Sequence, residues 1–206
     1  MFVVFIKLVL EHTLALIRYI NKIVELNSNE EQIIIDALTH RKYLKDQYIV
    51  QQGDVCKCIN FILTGCTKTS YLDSNGHEHI VMFSIEDWWT SDMGSFITQT
   101  PADYNIQCIE NTELLQLNYT TVEELFKKVP KLERCFRKIT ERALVASQKR
   151  IITNFSETAK ERYLIFKENY PKIEKRVPQY LLASYLGITK EFLSRIKSQL
   201  ARETKS

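Results

Sequence analysis

Between residues 43 and 117 the sequence consists of short apolar runs interrupted by turn residues, a pattern typical of β-strands. Residues 73–76 read Asp-Ser-Asn-Gly and separate two alternating runs, and an Asn-Gly pair accepts the positive φ that tight hairpin turns require. Parallel strands would need crossover helices between them, for which this spacing leaves no room. The pattern therefore predicts an antiparallel sandwich or jelly roll.

After residue 119 the apolar period becomes helical, and one long helix is predicted from about Lys131 to Asn154, because no Pro or Gly occurs in residues 131–170. About 24 residues make a helix of roughly 36 Å, longer than a typical globular helix. Five apolar residues spaced 4, 3, 4 and 3 apart resemble a coiled-coil seam. A dimer seam is favoured over packing on the chain's own sandwich. The seam residues are Leu132, Phe136, Ile139, Ala143 and Ala146.

Charge divides the chain into two unlike parts. Residues 131–206 hold 18 Lys and Arg against 8 Asp and Glu, a net charge of +10, whereas residues 1–130 hold 10 against 17, a net charge of −7. A basic part beside an acidic part indicates that only the basic part meets a polyanion, which is usually nucleic acid. A solvated helical surface rich in Lys and Arg would have the same composition.

The cysteines and the first residues bear on where the protein works. The 5 cysteines contain no CxxC spacing, so neither a disulfide framework nor a zinc module is predicted, and reduced thiols fit the cytoplasm. Lys7 interrupts the apolar first ten residues and no small-residue cleavage site follows, so we expect neither a signal peptide nor a membrane span. An amphipathic helix running to about Glu25 is expected instead. Candidates for its buried face include Leu8, Ile17, Ile20 and Ile23.

Residues 177–200 carry two short helical patterns split by Gly187. Pro178 suits the first turn of a helix, Gly187 suits the position after a helix end, and Thr189 can cap the second helix. One side of the second helix is apolar, with Phe192, Leu193, Ile196 and Leu200. The other side carries Lys190, Glu191, Ser194, Arg195 and Ser198. Such a face can read guanine and cytosine edges in a major groove, although an ordinary αα-hairpin with a polar exterior has the same spacing.

The sequence LASYLGITKEFLSRIKSQL resembles the helix-turn-helix of Crp/Fnr regulators, the cyclic-AMP receptor protein family. In that family the recognition helix begins after a Gly-x-Ser/Thr turn and carries Arg-Glu-x-x-x-Arg, which falls here on Lys190, Glu191 and Arg195. From about residue 17 to 201 the order of elements is also similar. The resemblance implies an α+β chain: N-terminal helices and an antiparallel jelly roll of cyclic-nucleotide-binding type in residues 1–120, a connecting and dimerisation helix in 121–155, and a helix-turn-helix domain in 156–206.

A bacterial, cytoplasmic transcription regulator is the function that the resemblance implies. It would bind double-stranded DNA as a homodimer on a near-palindromic site, with RNA polymerase as a further candidate partner and no membrane partner. The DNA-binding residues implied are Gln179, Thr189, Lys190, Glu191, Ser194, Arg195 and Arg202. An enzyme is not expected, because no GxSxG, P-loop, HExxH or GxGxxG sequence occurs.

The effector pocket departs from the family pattern. Members that bind cyclic AMP carry Gly-Glu-Leu followed about ten residues later by Arg-Ser or Arg-Thr. Here Asp92 falls near the Glu, but Ala102 and Asp103 replace the Arg and the Ser, and an acidic residue repels a cyclic phosphate. Cyclic AMP is therefore not the expected effector, and neither a cofactor nor a metal is assigned. The divergent pocket is assigned to Trp88, Asp92, Met93, Ala102, Asp103 and Ser147.

Further departures concern metals and the DNA backbone. Residues 1–55 contain no Cys, which excludes the iron–sulfur cluster of the oxygen-sensing branch. Cys56, Cys58 and Cys66 are interpreted as small buried strand residues, and the pair His77 and His79 lacks a third ligand. Only residues 202–206 follow the recognition helix, so no wing is expected. Backbone contacts would then come from Lys175, Arg176, Lys197, Arg202 and Lys205. The alternative function is a small-molecule sensor whose DNA binding is weakened or lost.

Overall fold

The structure, a computed structural model, describes residues 13–203. This part begins with helices α1 (residues 13–21) and α2 (Ser28–Ala37). Strands and two helices follow: β1 (Thr39–Tyr43), β2 (Tyr48–Val50), β3 (Cys58–Thr64), β4 (Thr67–Leu72), β5 (Glu78–Ser84), β6 (Trp89–Thr90), α3 (Met93–Thr98), β7 (Asn105–Cys108), β8 (Thr112–Asn118) and α4 (Tyr119–Lys128). The rest is helical: α5 (Lys131–Ser156), α6 (Ala159–Asn169), α7 (Pro171–Arg176), α8 (Gln179–Leu186) and α9 (Lys190–Glu203).

The strands form two four-stranded sheets, with strand orders β1-β8-β3-β6 and β2-β7-β4-β5, and every pairing is antiparallel. Strands that are distant in the sequence lie side by side, which confirms the predicted jelly roll. The predicted hairpin is the turn between β4 and β5. There the Asp73 carboxylate accepts the N–H groups of Asn75 and His77, and Gly76 has a φ of +80°.

Helix α1 confirms the predicted N-terminal helix over its described part, and it buries Ile17 and Ile20. It ends at residue 21 rather than near Glu25, because the Asn21 side chain turns back and accepts the N–H of Leu26 (2.9 Å). Leu8 and Lys7 lie outside the described residues. No helix within residues 13–203 is both long and apolar enough to cross a membrane.

Helix α5 confirms the predicted long helix, but its first half packs on the sandwich of its own chain. Leu132 is 1% exposed, and Phe136 and Ile139 pack against the same core. The ring of Trp89 on β6 lies 5.2 Å from that of Phe136. The assignment of Leu132 to a dimer seam is therefore wrong, because its own subunit already covers it. Phe136 and Ile139 are only partly buried and stay predicted seam residues. Ala143, further along, is exposed.

A second core joins the C-terminal helices to the sandwich. Ile80, Phe83 and other apolar residues of the sheet pack with the buried faces of α6, α7, α8 and α9. The Ser184 hydroxyl on α8 donates to the carbonyl of Glu78 (3.2 Å) and accepts the N–H of Ile80 (3.2 Å). The first helix of the predicted helix-turn-helix is thus held against strand β5 of the same chain.

Candidate nucleic-acid interface

The turn between α8 and α9 is fixed by local backbone chemistry. Gly187 ends α8 in the left-handed region at φ +67°, and the N–H of Ile188 donates to the carbonyl of Ala183 (3.0 Å). The Thr189 hydroxyl then accepts the N–H of Phe192 (3.2 Å) and caps the first turn of α9. Both residues have the roles that the sequence predicts, and together they set where the second helix begins.

Apolar packing determines which face of α9 is turned outward. Leu193 and Ile196 are buried against α8, where Leu182 and Ala183 are buried as well. Ridges of these side chains hold the two helices at a fixed angle. Because this side of α9 is covered, the opposite side meets solvent along the length of the helix.

The outward face carries the polar residues that the sequence assigns to base reading. The exposed residues are Thr189, Lys190, Glu191, Ser194, Arg195 and Ser198. Within the described part of the chain, Lys190 and Glu191 take part in no ion pair, so both charges remain available to a ligand. The face offers cationic donors and a carboxylate acceptor, which is the chemistry that base edges in a major groove match.

Phe192 is exposed, although the sequence predicts it on the buried side of α9. Its side chain is 40% exposed and borders the polar face. The guanidinium carbon of Arg195 lies 5.2 Å from the centroid of the Phe192 ring, within the range of a cation–π contact. Sequence periodicity misses this residue because Phe192 lies at the boundary between the two faces, where only the packing of α8 decides its exposure.

Two of the cations predicted to contact DNA backbone are engaged inside the protein. Arg176 donates to Glu86 (2.7 and 3.0 Å) and to Glu110 (3.0 and 2.6 Å), two carboxylates of the sandwich. Lys197 pairs with Glu174 at 2.7 Å. These ion pairs oppose the predicted phosphate contacts, since moving either cation to DNA would leave a carboxylate without its partner.

The remaining candidates for backbone contacts lie at the surface. Lys175 on α7 and Gln179 in the first turn of α8 are exposed, as is Arg202 near the end of α9. Lys205 lies outside the described residues. Helix N-termini and cations of this kind are the usual partners of phosphate oxygens.

The region assigned to an effector pocket is organised around a buried carboxylate. Asp92 is 3% exposed, and its Oδ1 accepts the N–H of Ser95 (2.9 Å) at the start of α3. Its Oδ2 accepts the N–H groups of Asp103 (2.9 Å) and Tyr104 (3.1 Å). Three backbone N–H groups converging on one point form an anion-binding nest, and here the chain's own carboxylate fills it.

Other predicted pocket residues are placed differently. Ala102 is buried beside the Asp92 cluster, whereas the side chains of Met93 and Asp103 are exposed. The ring of Trp88 lies 5.8 Å from Tyr170 and packs with the C-terminal helices, so Trp88 belongs to the second core rather than to a pocket with Asp92. Ser147 lies exposed on α5.

The cysteines and histidines show no reactive or ligating arrangement in the described chain. All 5 cysteines are free, and burial raises the pKa of the Cys66 thiol to about 12 and that of Cys135 to about 11. The His79 imidazole bonds to Asp73 at the hairpin (2.8 Å). No cluster of three or more His, Cys, Asp or Glu able to hold a metal occurs in residues 13–203.

Comparison with known proteins finds a matching family model and several curated relatives. A family model described as the cyclic nucleotide-binding domain matches residues 40–129. The anaerobic regulatory protein of Haemophilus influenzae is 24% identical, over 82% of this chain and 70% of the relative. Electron transport regulator A of Shewanella oneidensis is 24% identical, over 83% of this chain and 72% of the relative.

Solved structures show the same fold at lower identity. FixK2 from Bradyrhizobium japonicum has a TM-score of 0.70 and 19% identity, covering 81% of this chain and 86% of that one. The global regulator CLP of Xanthomonas campestris has a TM-score of 0.71 and 14% identity, covering 86% and 93%. Both likenesses cover more than four fifths of this chain.

Proposed function

From these likenesses we propose that the chain is a transcription regulator of the Crp/Fnr type that reads double-stranded DNA through the exposed face of α9. The observation that carries the proposal is that this face presents Lys190, Glu191, Ser194 and Arg195 to solvent while its opposite side is locked on α8. The proposal includes a cytoplasmic site of action, because the DNA of a bacterium lies in its cytoplasm and the relatives found are bacterial. RNA polymerase stays a predicted partner.

Each side chain on this face has a chemical match in the major groove. The planar guanidinium of Arg195 can donate two parallel hydrogen bonds to guanine O6 and N7, and Glu191 can accept from cytosine N4. Lys190 adds a flexible cationic donor, and Ser194 a short hydroxyl. Lys175, Gln179 and Arg202 supply backbone contacts that fix the register of the helix without reading sequence.

We propose that the homodimer forms through the second half of α5. Such a dimer would place the α9 helices of its two subunits on one duplex. Five large apolar side chains there are exposed, and at 100° per residue they share a sector on the side of the helix opposite Leu132. Solvent exposure of so many apolar groups is unfavourable, and a second copy of the same stripe would cover them. The stripe consists of Leu144, Val145, Ile151, Ile152 and Phe155.

Regulation by cyclic AMP is not part of the proposal. The Asp92 carboxylate already occupies the nest formed by the Ser95, Asp103 and Tyr104 N–H groups, and a phosphate would have to displace it. No Arg occurs between Arg41 and Arg134 to neutralise such a phosphate. Repulsion between the two anions opposes binding.

Band-shift titration of the full chain on its own upstream DNA tests the proposal. Loss of a bidentate Arg–guanine contact costs about 1–3 kcal/mol of discrimination, so Arg195→Ala should weaken specific binding about 5-fold to 150-fold. The matched control is Arg137→Ala, which removes the same charge from an exposed position on α5. Equal binding by wild type and Arg195→Ala at every salt concentration would refute the assignment of Arg195. Absence of specific binding by wild type would favour the alternative of a sensor that has lost DNA binding.

A further inference from the structure

Beyond the polar residues of α9, one aromatic side chain stands at the edge of the reading face. Phe192 is 40% exposed in a helix whose other large apolar residues are buried, as are Leu193 and Ile196, or partly buried, as is Leu200. Its backbone N–H is bonded to the Thr189 cap, so the residue belongs to the first turn of α9. In helix-turn-helix proteins the N-terminal residues of the recognition helix contact the base edges.

An exposed phenyl ring in a major groove has one good partner among the base edges. Thymine alone presents a methyl group there, and apolar contact with that methyl is how aromatic and aliphatic side chains distinguish it. The ring has no polar atom with which to satisfy guanine, cytosine or adenine edges. A hydrogen-bonding edge facing the ring would lose its water without compensation.

Arg195 fixes where this thymine must lie. The guanidinium carbon is 5.2 Å from the Phe192 ring centroid. Successive bases are about 3.4 Å apart along one strand, so this separation spans one to two base steps. The contact also restrains the rotamers of both side chains, which lowers the entropy lost when they bind.

We propose, on the basis of the proposed function, that Phe192 is a specificity-determining residue that reads a thymine 5-methyl group one or two base steps from the guanine bound by Arg195. The site class is therefore a duplex half-site in which a thymine lies within two base steps of a guanine. Arg195 selects the guanine by hydrogen bonding, and Phe192 selects the neighbour by apolar contact.

Replacement of thymine by deoxyuridine tests this directly, because only the methyl group is removed and base pairing is kept. Duplexes that bind the full chain are first selected from a randomised pool, and each thymine of one half-site is then replaced in turn. Burial of one methyl group is worth about 0.8 kcal/mol, or about fourfold in affinity. We expect one thymine within two base steps of a guanine to show that loss with wild type.

Protein variants assign the effect to the residue. Phe192→Ala should abolish the difference between the two duplexes, and Phe192→Leu should reduce it. Leu164→Ala, which shortens an apolar side chain of similar exposure (39%) on α6, should keep it. Since each comparison is between two duplexes on the same protein, a change in the variant's stability does not imitate the result.

Failure of the inference and failure of the proposed function give different results. Selection of no duplex would overturn DNA reading itself. Selection of a duplex in which no thymine methyl affects wild-type binding, or retention of the fourfold effect by Phe192→Ala, would overturn the role of Phe192 alone.

Discussion

At the scale of single residues, the Asp92 carboxylate fills a nest of backbone N–H groups. The carboxylate of Asp92, at 3% exposure, accepts three N–H groups, so Asp92→Ala leaves one buried and two partly buried donors without a partner. Each unsatisfied donor costs about 1–3 kcal/mol, and partial access of water reduces the sum. We expect Asp92→Ala to lower the melting temperature, while Asp103→Ala, an exposed control, changes it little.

Cyclic AMP should not raise the melting temperature of the wild-type protein. A shift that saturates at micromolar cyclic AMP would contradict this account of the nest.

At the scale of elements, helix α5 has two apolar faces with different uses. Leu132 is buried in its own subunit, whereas Ile152 is 63% and Phe155 is 88% exposed. Ile152→Glu places a charge in the exposed stripe and should convert the proposed dimer to a monomer, because the charge would be desolvated at the interface. Ala146→Glu adds the same charge at an exposed position of the seam that the apolar spacing predicts, and it should leave the proposed dimer intact. Light scattering after gel filtration measures both. If Ala146→Glu were a monomer and Ile152→Glu a dimer, the dimer would form through the seam predicted from the sequence and not through the exposed stripe.

At the scale of the molecule, Arg176 ties the C-terminal helices to the sandwich through Glu86 and Glu110. Burial raises the pKa of Glu86, but hydrogen bonds from Arg176 and from the Gly65 N–H outweigh burial and hold that pKa below its ordinary value of 4.5. The carboxylate therefore contributes stability that is complete above about pH 4.5 and is lost as the pH falls through the lowered value. Because the pair is partly exposed, Arg176→Met should cost about 1–2 kcal/mol of unfolding free energy at pH 7. Urea titration should show the cost shrinking below pH 4, with Lys175→Met as the control of equal charge. A cost that does not change with pH would contradict the ion-pair account.

Local chemistry is what the sequence determined. The hairpin at residues 73–76, the end of α8 at Gly187 and the cap at Thr189 each depend on one backbone angle or on hydrogen bonds between near neighbours. The apolar period of a strand or helix likewise indicates that one face of the element is covered. These features were predictable because the groups that decide them lie within a few residues of one another.

Only the tertiary structure decided what covers each face. The apolar spacing of α5 is satisfied equally by a partner or by the subunit's own sandwich, and the chain's three-dimensional path brings Trp89 to Phe136. Arg176 meets carboxylates 66 and 90 residues away, so a cation that looks free in the sequence is engaged in the folded chain. Phe192 is exposed because α8 covers only the neighbouring positions of α9. The apolar period of an element indicates that one of its faces is buried. Long-range packing decides which part of the molecule buries that face.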